Sequence, residues 1–98
     1  MSRVRLRFTP AARSHLRSIG RHSEKTWGIE QRDRYLAQLF AGFEDLRKSP
    51  MIGRLREEMY PKMRSKRVQK HIAYYFIEKG HVVIVGVLHG KMDPSRHL

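Results

Sequence analysis

His89, Asp93 and His97 stand four residues apart near the end of the chain. On a helix that spacing faces one side, and it could present three ligands to zinc or a histidine–aspartate pair to a proton. Gly90 and Pro94 interrupt any helix here, and Asp93-Pro94 is turn chemistry, in which a short polar side chain bonds nearby backbone. The segment is therefore read as structural or interactive, with no metal and no catalytic residue assigned. His89 ends a strand, Met92 packs back on the open face of the sheet, and Asp93 caps the turn or pairs with a nearby arginine.

The second concentration of chemistry is KMRSKRVQKH at 62–71. In a strand Lys62, Arg64 and Lys66 project to one side and Arg67 to the other. Together with Arg54, Arg56 and Lys70 they form a basic surface. It could track a phosphate chain, attract an acidic peptide, or solvate an edge strand and block edge-to-edge association.

The whole composition points the same way. Twenty-one Lys and Arg against nine Asp and Glu give a net charge of +12 over 98 residues, which predicts an acidic partner: nucleic acid, an acidic protein surface or an anionic membrane. Residues 1–98 suffice for one domain with one core. There is no cysteine, which excludes disulfides and thiolate sites. The start MSRVRLRFTP has no apolar signal region, and the apolar runs IAYYFI and VVIVGVL are strand-sized. A soluble, cytoplasmic protein is expected.

The elements that must position these groups follow from periodicity. Val4, Leu6 and Phe8 alternate with Arg3, Arg5 and Arg7, the signature of a half-buried strand with a cationic outer face. Thr9-Pro10 starts a helix, because the hydroxyl caps orphan N–H groups and proline at the first position loses no needed donor. Ala12, Leu16 and Ile19 continue it towards Gly28. A second helix over 29–48 carries the stripe Leu36, Leu39, Phe40, Phe43 and Leu46, and Ser49-Pro50 stops it. The pattern is lost between Met51 and Pro61, where a loop or short turn is expected. Three strands follow, over 63–69, 71–78 and 82–89, with Lys79-Gly80 as a two-residue hairpin turn.

The strands IAYYFI and VVIVGVL are apolar on both faces, as central strands are. The helix hairpin covers one face, whereas only the loop before Pro61 and the tail remain for the other, so a partner could complete the cover. Tyr74 and Tyr75 point to opposite faces, one of them available to a binding groove. Trp27 is expected to pack the corner of the helix hairpin. His15, His22, His71 and His81 have no partner at ligand spacing, and surface or satisfied positions are expected for them.

The order β-α-α-β-β-β, with FTPAA at 8–12, WGIEQ at 27–31, RYL at 34–36, PMIGR at 50–54 and VLHGKMDPSRHL at 87–98, resembles the ParE branch of the RelE/ParE toxins. The resemblance implies an α+β fold: a mainly antiparallel four-stranded sheet, the first strand inserted beside the later ones, with a helix hairpin on one face. It implies a type II toxin neutralised by a ParD-like antitoxin, acting by inhibition of DNA gyrase. The RelE branch instead cuts messenger RNA in the ribosome, and this is the alternative. RelE-like enzymes carry an arginine just after a Gly-Lys near the last strand and a tyrosine soon after. Here Gly90-Lys91 is followed by Met92, and no tyrosine occurs after Tyr75. Methionine holds no charge and passes no proton.

On that basis the expected gyrase contacts are His89, Lys91, Met92, Asp93, Arg96 and His97. The basic surface is Arg54, Arg56, Arg64, Lys66, Arg67 and Lys70. The antitoxin-binding candidates are Leu16, Ile19, Leu39, Phe43, Tyr74 and Tyr75. No cofactor, no membrane and no sequence-specific nucleic acid is expected, and a hetero-oligomer with the antitoxin is.

Overall fold

The computed structural model describes residues 4–98, so Arg3 lies outside it. The chain runs β1 (Arg5–Phe8), α1 (Pro10–Trp27), α2 (Ile29–Lys48), β2 (Arg54–Leu55), β3 (Arg64–Val68), β4 (His71–Glu78) and β5 (His81–His89), with short 3-10 turns at Pro50–Ile52 and Pro94–Arg96. The sheet order is β1-β5-β4-β3-β2, parallel between β1 and β5 and antiparallel elsewhere. The α+β fold, the helix hairpin and the placement of the first strand match the expectation. The sheet has a fifth strand that periodicity did not reveal: Arg54 and Leu55 pair with Ser65 and Arg64, and two residues are too few to show alternation.

Thr9 caps α1, its Oγ1 accepting from the Ala12 N–H at 3.2 Å, and Pro10 occupies the first turn. Gly28, at φ 91°, joins α1 to α2 in the left-handed region that glycine enters without penalty. The two helices lay one face on the sheet. Ala12, Leu39, Phe43 and Leu46 pack against Ala73, Tyr75, Val82, Ile84 and Val87, and all are buried. Phe8, Phe40 and Phe43 add edge and tilted ring contacts at 5.3–5.9 Å between centroids. At Gly42 α2 comes so close to β3 that a Cβ would lie 2.5 Å from Val68 Cγ1.

The opposite face of the sheet has a smaller core of Met63, Tyr74 and Leu88, with Met59, Ile72, Phe76 and Val85 against it. The loop before Arg64 covers it, with Tyr60 edge-on to Phe76 at 5.7 Å and the Arg56 guanidinium 5.9 Å from the Tyr74 ring. The turn ahead of β2 is fixed by Tyr75, whose hydroxyl donates to Pro50 O at 2.6 Å and accepts from the Gly53 N–H at 2.9 Å.

One irregularity sets the functional end of the sheet. Tyr75 pairs with Ile84 but Tyr74 pairs with Gly86, so Val85 is an extra residue on β5. Beyond it the side-chain alternation of β5 is inverted. Val82 and Ile84 face the helices before the bulge, and Val87 faces them after it.

Candidate functional site

The tail leaves β5 at His89 and turns at once. Asp93 Oδ1 accepts from the Ser95 N–H at 3.0 Å and from its hydroxyl at 2.8 Å, capping the Pro94–Arg96 turn. These bonds, the hydroxyl first, hold the Asp93 carboxyl below the usual carboxylate range. Arg96 approaches the same carboxylate at 4.0 Å. The Leu98 side chain lies against Gly86, where a Cβ would come within 2.3 Å of it. The tail therefore folds back on β5. Lys91, Met92, Asp93, Arg96 and His97 are exposed and contiguous there, while His89 is half-buried. Met92 is exposed and belongs to neither apolar cluster, and it is Leu98 that touches β5, at Gly86.

The basic residues divide into two groups. Arg64 donates to Met51 O and Gly53 O, and Arg56 bonds Glu58 and Ser65, so both cations hold β2 and its loop in place. Arg54, Lys66, Arg67 and Lys70 are exposed, without a salt bridge among the described residues. These four can meet an acidic partner.

The antitoxin candidates need correction. Leu39, Phe43 and Tyr75 are fully buried in the helix–sheet core and Tyr74 is 2% exposed. No partner reaches them, because α2 covers one tyrosine's face and the 56–63 loop the other. Leu16 and Ile19 remain half-buried at the surface. Leu16, Leu36 and Phe40 line an outer groove of about 480 Å³ between α1 and α2, edged by Arg17, Arg21 and by Arg32, which is paired with Glu24 and Asp33. Trp27 also departs from expectation. It is 67% exposed, because the hairpin corner closes at Gly28 without it.

Sequence spacing missed a polar cluster between α1, α2 and the ends of β4 and β5. Tyr35 Oη lies 2.6 Å from His71 Nδ1 and accepts from the Lys70 N–H at 3.2 Å. That N–H leaves the Tyr35 hydroxyl hydrogen free to point at Nδ1, an arrangement that places the His71 proton on Nε2. Burial, with His89 and His22 nearby, lowers the His71 pKa to about 4, so the ring is neutral near pH 7. Burial likewise raises Tyr35, which stays a phenol. His89 packs edge-on to His71 at 5.4 Å, and its Nδ1 accepts from the Lys91 N–H at 3.1 Å, which puts its proton on Nε2 as well. The cluster opens into a cavity of about 740 Å³.

His15 has a different task. β1 pairs with β5 only as far as Ile84, leaving the next backbone groups of β5 unpaired by sheet. The Thr9 hydroxyl takes Val85 O at 3.3 Å and His15 Nδ1 takes the Val87 N–H at 3.2 Å. Burial and then His97 lower the His15 pKa, consistent with an imidazole that accepts.

A helix hairpin on one face of a mixed sheet, with exposed cations on β3 and a folded-back tail, defines the fold class seen in a solved chain from "Chromosomal ParDE TA system from P. aeruginosa". That chain superposes with a TM-score of 0.78 at 17% identity, covering 89% of this chain and 96% of the other. A family profile described as "ParE toxin of type II toxin-antitoxin system, parDE" matches residues 6–94. Toxin ParE1 of Mycobacterium tuberculosis is 33% identical over 92 residues, covering 93% of this chain and 94% of the relative. Toxin ParE of Escherichia coli is 30% identical, covering 93% of this chain and 89% of the relative. The chain belongs to the ParE toxin family of type II toxin-antitoxin systems. No helix among its described residues is long and apolar enough to cross a membrane.

Proposed function

We propose that this ParE-family chain acts in the cytoplasm by binding DNA gyrase and blocking replication, without turning over a substrate, until a ParD-like antitoxin neutralises it. The observation that carries this reading is the tail: Gly90-Lys91 is followed by Met92 and an Asp93-capped turn, with neither an arginine nor a tyrosine at the positions where RelE-like enzymes use them. A group that holds no charge and moves no proton cannot drive phosphodiester cleavage. The exposed run Lys91, Met92, Asp93, Arg96 and His97 is offered as the gyrase contact, with the Arg67 guanidinium beside Gly90 at its start. The antitoxin lays an acidic amphipathic helix along the outer groove at Leu16 and Phe40, its carboxylates towards Arg17 and Arg21.

Purified chain added to gyrase and relaxed plasmid should block supercoiling or accumulate cleaved DNA, and stoichiometric antitoxin should relieve it. One observation favours a second reading, ribosome-dependent messenger cleavage: Tyr35, His71 and His89 bring proton-carrying groups near Arg67 and Lys70. The low pKa of His71 makes it a poor base near neutrality. Normal supercoiling together with cleavage of stalled messenger, lost in His71→Ala, would reverse the ranking.

A further inference from the structure

The cavity beside His71 has hydrogen-bond donors set among apolar wall from Ile19 and Trp27. His89 Nδ1 accepts from the Lys91 N–H and so carries its hydrogen on Nε2, and His71 does the same where the Tyr35 hydroxyl donates to its Nδ1. Lys70, Ser18 and Thr26 line the same space, and no carboxylate does among the described residues. Such a wall favours a ligand rich in acceptors and negative charge.

The wall is also preset. Gln69, at φ 57°, is a non-glycine residue in the left-handed region. The turn it makes is clamped from two sides: the Lys70 N–H donates to Tyr35 Oη at 3.2 Å and Lys70 O accepts from the Gly90 N–H at 3.0 Å. Gln69-Lys70 is the two-residue turn between Val68 and His71, where hairpin geometry calls for a positive φ, so the clamps fix the turn and with it the position of Lys70. The volume of about 740 Å³ lies in the range of small-molecule pockets. Trp27 lines the cavity and is 67% exposed, with no packing role to explain an indole there.

We propose that this cavity binds a nucleoside monophosphate, its phosphate held by the Nε2–H groups of His71 and His89 and by Lys70, its base stacked on Trp27. Donors from β4, β5 and the turn between β3 and β4 are enough to engage the several terminal oxygens of a phosphate monoester. An indole face accepts any base, so the site discriminates by phosphate and ring together rather than by base identity. The site shares His89 with the start of the tail but none of the exposed run 91–97, and it stands whether or not gyrase is the target.

Calorimetry of AMP with the full-length chain tests it, with backbone amide shifts to locate binding. Saturable binding is expected, with shifts at Trp27, Lys70, His71 and His89. Lys70→Glu and Trp27→Ala should each weaken it on the order of tenfold. Both side chains are exposed, and the turn is held through the Lys70 backbone, so both variants should keep the wild-type melting temperature. Adenosine and inorganic phosphate, each offering half the recognition, should bind more weakly than AMP. Absence of saturation at millimolar AMP, or binding equal in both variants, overturns the proposal. An acidic peptide that shifts these resonances where AMP does not also overturns it, and would assign the cavity to a protein partner.

Discussion

The Tyr35 hydroxyl, on α2, lies 2.6 Å from Nδ1 of His71, the first residue of β4, and this bond joins the helix hairpin to the far end of the sheet. It fixes the tautomer of His71 and, through the Lys70 N–H on the same oxygen, the turn before it. Tyr35→Phe removes a bond that favours the neutral ring. Burial is the largest cause of the low His71 pKa, with His89 and His22 after it, so the value should rise only part of the way from about 4, with a loss of about 1 kcal/mol in stability. Imidazole titration by NMR reads the first and denaturant unfolding the second. An unchanged His71 titration would show that burial alone sets it.

Stability should fall on acidification before carboxylates protonate. His71 is neutral when folded, with its pKa lowered from 6.5 to about 4, whereas the unfolded ring has the ordinary value. The unfolded state therefore binds more protons between those values, and stability drops with falling pH. The contribution is fully present above pH 6.5, declines below it and is lost below about pH 4. His15, also lowered, adds a decline of the same sign, since its protonation takes the acceptor from the Val87 N–H. The groups around His71 are His22, Tyr35, Arg67, Lys70 and His89, none of them a carboxylate that could hold its proton. Melting temperature against pH checks this, and His71→Gln should flatten the slope.

Tyr75 should matter to stability rather than to binding. Tyr75→Phe leaves Pro50 O and the Gly53 N–H without their hydroxyl partner, a loss of about 1–3 kcal/mol. Gly42→Ala forces Val68 or α2 to move and should cost a similar amount, about 1–3 kcal/mol. Thermal unfolding measures both. Neither should alter gyrase inhibition at temperatures where the chain stays folded.

The two classes of antitoxin candidate should separate. Leu39→Ala and Phe43→Ala open cavities in the core and should destabilise the chain by about 2–5 kcal/mol. Leu16→Asp places a charge at the outer groove and should weaken antitoxin binding, at a smaller cost in stability than the two core variants because Leu16 is only partly buried against the core. Binding measured against salt is informative here. A negative heat-capacity change with a modest salt slope fits a groove that buries apolar surface, whereas a purely electrostatic slope counts against it.

The tail prediction concerns chemistry that should not appear. Met92→Arg restores one cation but no proton donor, so ribosomal messenger should stay intact in its presence. Asp93→Ala removes the cap of the Pro94–Arg96 turn and should reduce gyrase inhibition through loss of a fixed surface, with the melting temperature little changed. Cleavage by the first variant, or full inhibition by the second, contradicts the tail as a preformed contact.

The order of elements was legible because its signals are local. Alternation at Val4–Phe8, the Thr9-Pro10 start, the apolar stripe on α2 and the Lys79-Gly80 turn each depend on residues within a few positions of one another. The ParE character of the ending was legible for the same reason. Tyr74 and Tyr75 were correctly divided between the two faces, but their burial depends on α2 and the 56–63 loop, which sequence does not place.

The His71–His89 pair shows where local information stops. Counting back from the 78–81 turn without interruption puts His71 opposite Leu88 and His89 on the face away from the helices. The extra residue at Val85 shifts the register by one, so His71 meets His89 and both turn towards Tyr35. A bulge has no fixed sequence signature, since it is set by how both faces of the strand pack. By itself the sequence determined the elements, the charge and the family pattern; the tertiary structure decided which titratable groups share a cavity, because that depends on a one-residue slip that inverts side-chain direction.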